Sequence, residues 1–169
     1  MAEAFIAIGS NLNDRKKYMI NAVKELCSFS KIVSIAPLYK SEPYGFTNQP
    51  YFFNSALLLE TDFDPLELLD KLKGVEKKIG RKSRKRWGPR EVDLDIIFFN
   101  RKIVKTDQLT IPHSDFHNRN FVLRPLADLA PNFVSPLHHE KISQLLGKCQ
   151  DKTKIKLIAT DWYINEIEF

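Results

Sequence analysis

Hydrophobic and polar positions along this chain fall into short segments of two different periods. Phe5 to Ile8 is a continuous apolar run closed by Gly9, which reads as a buried strand. Gly9-Ser10-Asn11 marks a turn. Asn13 or Asp14 can then cap a helix whose apolar positions Met19, Ala22, Val23 and Leu26 recur at helical spacing. Lys31 to Ser41 is rich in β-formers. A long loop of turn formers follows, Glu42 to Pro50, and Tyr51 to Thr61 reads as a second long strand, antiparallel to the one before. Asp64-Pro65 with Glu67 is a strong helix start, because Asp caps, Pro occupies the first turn and Glu completes a capping box. Leu66, Leu69, Leu72 and Ile79 supply that helix's apolar stripe and Gly80 its end. The next strand begins at Asp93, and Asn100-Arg101 offers it a hairpin turn onto Lys102 to Val104.

The resulting order is β-α-β-β-α-β. It predicts an α+β fold with a ferredoxin-like core, a mainly antiparallel sheet with its helices on one face. Beyond it the pattern is mixed. Phe121 to Ala130 is an apolar segment cut by Pro125, Ile142 to Leu146 fits a helix, and Ile155 to Ile158 fits a last strand. No repeat or linker divides the chain, so one domain over residues 1–169 is expected.

Composition changes this picture in one respect. The hydrophobic share of 43% and charged share of 28% are those of an ordinary soluble protein, but the net charge of +5 is unevenly spread. Arg81, Lys82, Arg84, Lys85, Arg86 and Arg90 stand within ten residues and lead into Asp93-Leu94-Asp95. Cys27 and Cys149 lack metal-ligand spacing and read as reduced thiols. No signal peptide or membrane-length run is visible, so the expected compartment is the cytoplasm, with no membrane partner.

Side chains alternate along a strand, so Asp93 and Asp95 share a face, with Ile97 and Phe99 beyond them; Val92, Leu94, Ile96 and Phe98 cover the other. Two carboxylates so placed repel unless a cation lies between them, and a hard divalent ion such as Mg2+ suits carboxylate, water and phosphate oxygens. The adjoining cations point to a polyanion that shares the metal, hence an Mg-nucleotide and phosphoryl-type transfer. Arg81 and Arg90 flank the basic loop beside Gly80 and Pro89, where the backbone is best fixed, and are expected to fork onto phosphate oxygens. The cations between them are expected to form a solvated lid. Trp87, with polar flanks, suits a cap over a flat ligand. Glu76 falls on an apolar helix stripe and needs a partner, best met by an ion pair at the loop's start. Phe52 and Asn54 share a strand face; with Phe121 they fit a planar heterocycle, although spacing alone better fits a core ring and a backbone-bonded amide. His113 follows Pro112 and is placed to reach phosphate, while a structural role is the commoner fate of a lone histidine.

Together these segments resemble the family of 6-hydroxymethyl-7,8-dihydropterin pyrophosphokinases, enzymes of folate biosynthesis. Arg86-Trp87-Gly88-Pro89-Arg90-Glu91-Val92-Asp93-Leu94-Asp95-Ile96-Ile97 is similar to that family's signature. Ala7 to Leu12, Leu109 to His113 and Asn118 to Phe121 match in the same order. The similarity covers about Phe5 to Leu129 and implies the same ferredoxin-like fold. It also implies ATP as co-substrate with two Mg2+ on Asp93 and Asp95, and attack of the pterin hydroxymethyl oxygen on the β-phosphorus. The pyrophosphoryl group then moves as a unit and AMP leaves. By resemblance Arg81 and Arg90 clamp phosphates and Trp87 closes over both substrates. Leu69, Ile96, Thr110, His113 and Arg119 would contact the nucleotide. The pterin would lie between Phe52 and Phe121, read by Asn54 and by backbone near Ser41, Glu42 and Tyr44, with Gly9 permitting close approach.

Phe52 stands where the family often has Tyr, Gln108 where some members place an Arg, and Ser114 where some place Tyr. A basic ferredoxin-like chain also fits an RNA-binding module, but no RNP1-like run lies on a strand and two strand carboxylates would repel a nucleic-acid backbone. A scaffold with an incidental Asp pair is the remaining alternative. The expected partners are therefore small molecules, not nucleic acid, and the expected state is a monomer.

Overall fold

The computed structural model describes residues 1–84 and 88–167. Its core follows the expected order: β1 (Ala2–Ser10), α1 (Arg15–Cys27), β2 (Lys31–Ile35), β3 (Leu38–Ser41), β4 (Phe52–Thr61), α2 (Pro65–Lys78) and β5 (Asp93–Phe99). The β-rich stretch is split at Ala36-Pro37, since Pro37 has no N–H to give a ladder, yet β2 and β3 both pair antiparallel with β4. A strand from the C-terminal part, β8 (Ile155–Ala159), pairs with β3 and makes the sheet order β5-β1-β4-β3-β8. The α+β, mainly antiparallel ferredoxin-like class expected from the pattern is the class observed.

Local chemistry accounts for the helix ends. The Asp14 carboxylate accepts the Lys17 N–H and caps α1. Asp64 accepts from Leu66 and Glu67 while the Glu67 side chain returns a bond to the Asp64 N–H, the full capping box at the start of α2. Gly80, at φ +99°, ends α2. There the Gly80 N–H donates to the Lys77 carbonyl and the Arg81 N–H to the Glu76 carbonyl, a Schellman arrangement that fixes where the basic loop begins.

Five expectations need correction. The buried stripe of α2 is Leu68, Leu72 and Val75 with Glu76; Leu66 is exposed and Leu69 only partly covered. Strict alternation fails at the end of β5, because a bulge opposite Phe5/Ile6 puts Ile97 and Phe98 on one side of the sheet and returns Phe99 to the other. Val104–Lys105 (β6) pairs with Thr110–Ile111 (β7) and not with β5, since Asn100 takes a left-handed turn at φ 46° that leads the chain away. Helices cover both faces. The α1 and α2 layer packs on Ile6, Ile8, Leu57, Leu59, Leu94 and Ile96. On the other face, α3 (Asn120–Leu129) and α4 (Ile142–Lys148) pack on Phe5, Ala56, Ile97 and Phe98. Helix α3 continues through Pro125: burial of Val122, Leu123 and Leu126 outweighs the one bond, to the Phe121 carbonyl, that proline cannot donate. This second layer stops short of the ends of β1, β4 and β5 that carry Gly9, Asn54 and Asp93. The open end of that face is where the candidate chemistry gathers.

Candidate active site

Antiparallel register builds the floor. Gly9 on β1 lies opposite Asn54 on β4 and opposite Asp93 on β5; Ala7 lies opposite Asp95. All point into one cleft whose other walls are Ser41, Glu42, Tyr44, Phe52, Arg90, Arg119 and Phe121. It encloses about 720 Å³, open solvent included. The nearby stretch thus brings together the expected heterocycle residues Gly9, Ser41, Glu42, Tyr44, Phe52, Asn54 and Phe121 with the carboxylates and one of the arginines.

Asn54 is buried and its amide donates to Ser41 Oγ at 2.6 Å, which orients a polar edge on an otherwise apolar floor. A Cβ at Gly9 would lie 2.8 Å from Asn54 Oδ1, so only glycine lets this amide lie flat over β1. At the pterin site that the family resemblance implies, Gly9→Ala is therefore expected to raise the KM of that acceptor by about ten-fold or more while ATP KM is unchanged. Steady-state kinetics with each substrate varied check this, and equal effects on both would remove Gly9 from the acceptor wall.

Asp93 is gripped from two sides. Arg81 Nη1 reaches its Oδ1 and Arg90 Nη1 its Oδ2, each at 2.6 Å. Burial works against its charge, but Arg90 and Arg81 outweigh burial and hold it below the usual carboxylate range. Asp95 has the opposite balance: burial and then the charge of Asp93 push it up, and no described side chain donates a hydrogen bond to it. A carboxylate so placed fits a cation. Among the described residues no cluster of three or more His, Cys, Asp or Glu side chains could cage a metal, so an ion here would complete its shell with water and phosphate, the habit of Mg2+.

Arg81 and the loop start are fixed from beneath. Glu76, only 3% exposed, accepts the Leu94 N–H at 2.8 Å and pairs with Arg81 at 2.6 Å and Lys73 at 3.0 Å. The expected ion pair is there, with a β5 backbone bond added. Burial pushes the Glu76 carboxyl up, against the pull of Lys73, the Leu94 amide and Arg81. A second recess, between α2 and the basic loop, is lined by Lys73, Lys77, Arg81, Lys82, Arg84 and Arg90. Arg90 borders both recesses. Arg84 is exposed, as expected of the loop's cations, but it is tethered. It forks onto buried Glu91 at 2.8 and 2.7 Å, and that hydrogen-bonded pairing holds Glu91 down at about 2.

His113 donates its N–H to the Ile97 carbonyl, accepts the Asp115 N–H on Nδ1, and is pushed down by burial against the pull of Asp95. Arg119 pairs with Asp115 at 2.8 Å and lies over the Tyr44 ring. Leu69, Ile96 and Thr110 do not line the cleft: Ile96 is in the core on the opposite face and Thr110 is exposed on β7. Trp87, with Lys85 and Arg86, lies outside the described residues.

Two organising residues escaped the sequence pattern. Lys73 lies beside Glu76 and acts on the charge of both aspartates. Asn11, fully buried, accepts the Arg90 N–H at 2.8 Å and donates to Gln49 Oε1 at 3.0 Å and the Pro50 carbonyl at 3.1 Å. The sequence signalled Asn11 only as part of a turn and of the Ala7 to Leu12 block, with no role of its own.

Comparison with known proteins gives this geometry a family. The model of 7,8-dihydro-6-hydroxymethylpterin-pyrophosphokinase (HPPK) matches residues 5–131. A 2-amino-4-hydroxy-6-hydroxymethyldihydropteridine pyrophosphokinase of Haemophilus influenzae is 40% identical over 159 residues, 93% of this chain and 99% of that one. One from Aquifex aeolicus is 38% identical over 144 residues, covering 85% and 90%. Wild-type HPPK-DHPS of Plasmodium falciparum, solved with pteroate, shares the fold with a TM-score of 0.73 at 16% identity. This chain spans 42% of that longer protein, and the match takes in 87% of this one. With the model spanning most of the chain and full-length relatives near 40% identity, the chain belongs to the 7,8-dihydro-6-hydroxymethylpterin-pyrophosphokinase family.

Proposed function

We propose that this protein transfers the β,γ-pyrophosphoryl group of ATP to the hydroxymethyl oxygen of 6-hydroxymethyl-7,8-dihydropterin, releasing AMP. The observation that carries this reading is the common cleft. An aromatic and amide-lined slot for a flat heterocycle ends at two carboxylates and an arginine that borders a cationic recess. The heterocycle lies between Phe52 and Phe121, its polar edge met by Asn54 and by backbone from Ser41 to Tyr44. The triphosphate lies along the cationic recess, where Arg81 and Arg90 exchange Asp93 for phosphate oxygens. Asp93 and Asp95 would hold two Mg2+ ions, whose chemistry is to neutralise the transferred group and align its oxygens. Asn54 and the two rings orient the acceptor alcohol, and the arginines stabilise charge on the transferred group, so alignment replaces a strong general base. His113 and Arg119 join this nucleotide wall; the family resemblance adds Trp87 over both substrates and assigns Leu69, Ile96 and Thr110, which lie outside the cleft, to the nucleotide. The protein works as a cytoplasmic monomer on small molecules.

Incubation with ATP, Mg2+ and the dihydropterin tests the reading. One AMP per acceptor consumed is expected; ADP would mean a simple kinase. Among the described residues no helix is long and apolar enough to cross a membrane. Arg90→Ala is expected to slow transfer much more than it weakens acceptor binding. A selective loss of acceptor affinity, read by titration without nucleotide, would count against its phosphate role.

A further inference from the structure

Two walls of the acceptor cleft are held by one short strap. The first wall is the loop that follows β3, carrying Glu42 and Tyr44. The second is the first turn of α3, carrying Phe121. Residues 151–154 touch each of them. Asp151 Oδ2 accepts the Asn120 N–H at 3.0 Å, and the Asn120 side-chain amide donates back to the Thr153 carbonyl at 2.7 Å and the Asp151 carbonyl at 3.3 Å. Three residues along the chain, the Lys154 carbonyl accepts the Glu42 N–H at 3.1 Å and the Lys154 N–H donates to Glu42 Oε2 at 3.4 Å. The strap is rigid in itself, because Asp151 Oδ1 accepts both the N–H and the hydroxyl of Thr153.

Helix α3 has no capping side chain of its own; Arg119 stands at the cap position and makes no such bond. Asp151 supplies the missing cap from outside the helix, with its negative charge at the positive end. Asn120 is the residue before Phe121, so whatever fixes Asn120 fixes the ring beside it. The rings of Tyr44 and Phe121 stand 5.7 Å apart between centroids, one on each wall. The strap also lies beyond residue 131, where the match to the family model ends.

We infer that Asp151 is a positioning residue: through Asn120 and Glu42 the strap of residues 151–154 sets the spacing of the two aromatic walls, and so the affinity for the flat acceptor. The inference rests on the proposed acceptor cleft. The strap makes no bond to Asp93, Asp95, Arg81 or Arg90, so its signature is a selective one.

Asp151→Ala is expected to raise the acceptor KM, and the dissociation constant of the pterin measured without nucleotide, by about ten-fold. ATP KM and kcat at saturating acceptor should stay at wild-type values. Asp151→Asn keeps one acceptor oxygen, enough for the Asn120 cap but not also for Thr153, and should recover part of the loss. An unchanged acceptor KM would overturn the inference, as would a parallel rise in both KM values, the mark of general loosening. Should Asp151→Ala fail to fold, Asn120→Ala, which keeps the Asp151 cap but drops the side-chain bonds to the strap, is judged by the same criteria. A wild-type protein that makes no AMP from this acceptor would defeat the cleft reading and this inference together; normal wild-type turnover with an indifferent Asp151→Ala would defeat the inference alone.

Discussion

Asp95→Ala is expected to cost about 100-fold or more in turnover, the scale of a lost metal clamp, while leaving the melting temperature equal to or above that of the wild type. The two halves of this expectation have one cause. Asp95 shares its face with Asp93, burial and that neighbour push its carboxyl up, and no described group donates a hydrogen bond to it. In the unliganded fold it is a liability, since burial and the like charge beside it outweigh the pull of Lys73, His113 and Arg90. Asp93 differs, because Arg81 and Arg90 already hold it. Removing Asp95 therefore relieves repulsion and takes away function. The measurement is a thermal melt beside AMP release at several Mg2+ concentrations. Near-normal turnover with unaltered Mg2+ dependence would reject Asp95 as a metal-holding residue.

Glu76→Ala should do the reverse and unfold the protein more readily. The substitution strips a hydrogen bond from the buried Leu94 amide and one partner from Arg81. Breaking a buried pair costs roughly 3–5 kcal/mol. Here Arg81 keeps Asp93 and Lys73 is half exposed, so about 2–3 kcal/mol is the better figure. For a chain of this size that is a fall of about 5–10 °C in melting temperature. Glu76→Gln keeps an acceptor for the Leu94 amide and should lose less. A melting temperature within about 2 °C of wild type for the alanine variant would show that the loop start does not depend on Glu76.

The elements with strong local chemistry were legible in the sequence. Asp64-Pro65 with Glu67, Gly80 and the Asp93–Asp95 alternation each settle their own backbone, and each was found where the pattern put it. What was not legible depends on partners distant in sequence. The bulge that turns Phe99 to the opposite face answers to β1, and the persistence of α3 through Pro125 answers to the sheet beneath it. The same holds in the site. Phe52 and Asn54 could be put on one face from spacing. That Gly9 must be small because Asn54 lies across it is a fact about two strands in register. Asn11 was missed for the same reason, since its partners are 38 and 79 residues away.

Asn11 has a consequence for how the two substrates are sensed. One end of its amide accepts from the backbone of Arg90, on the donor side, and the other end holds Gln49 and Pro50, at the root of the acceptor loop. On the proposed reading, a displacement of Arg90 by phosphate would therefore also displace the footing of the acceptor loop. Coupling of this kind is reciprocal in free energy: the factor by which nucleotide tightens the pterin is the factor by which pterin tightens nucleotide, whichever arrives first. On that reading a single buried amide would be the thermodynamic hinge between two ligands that need never touch it.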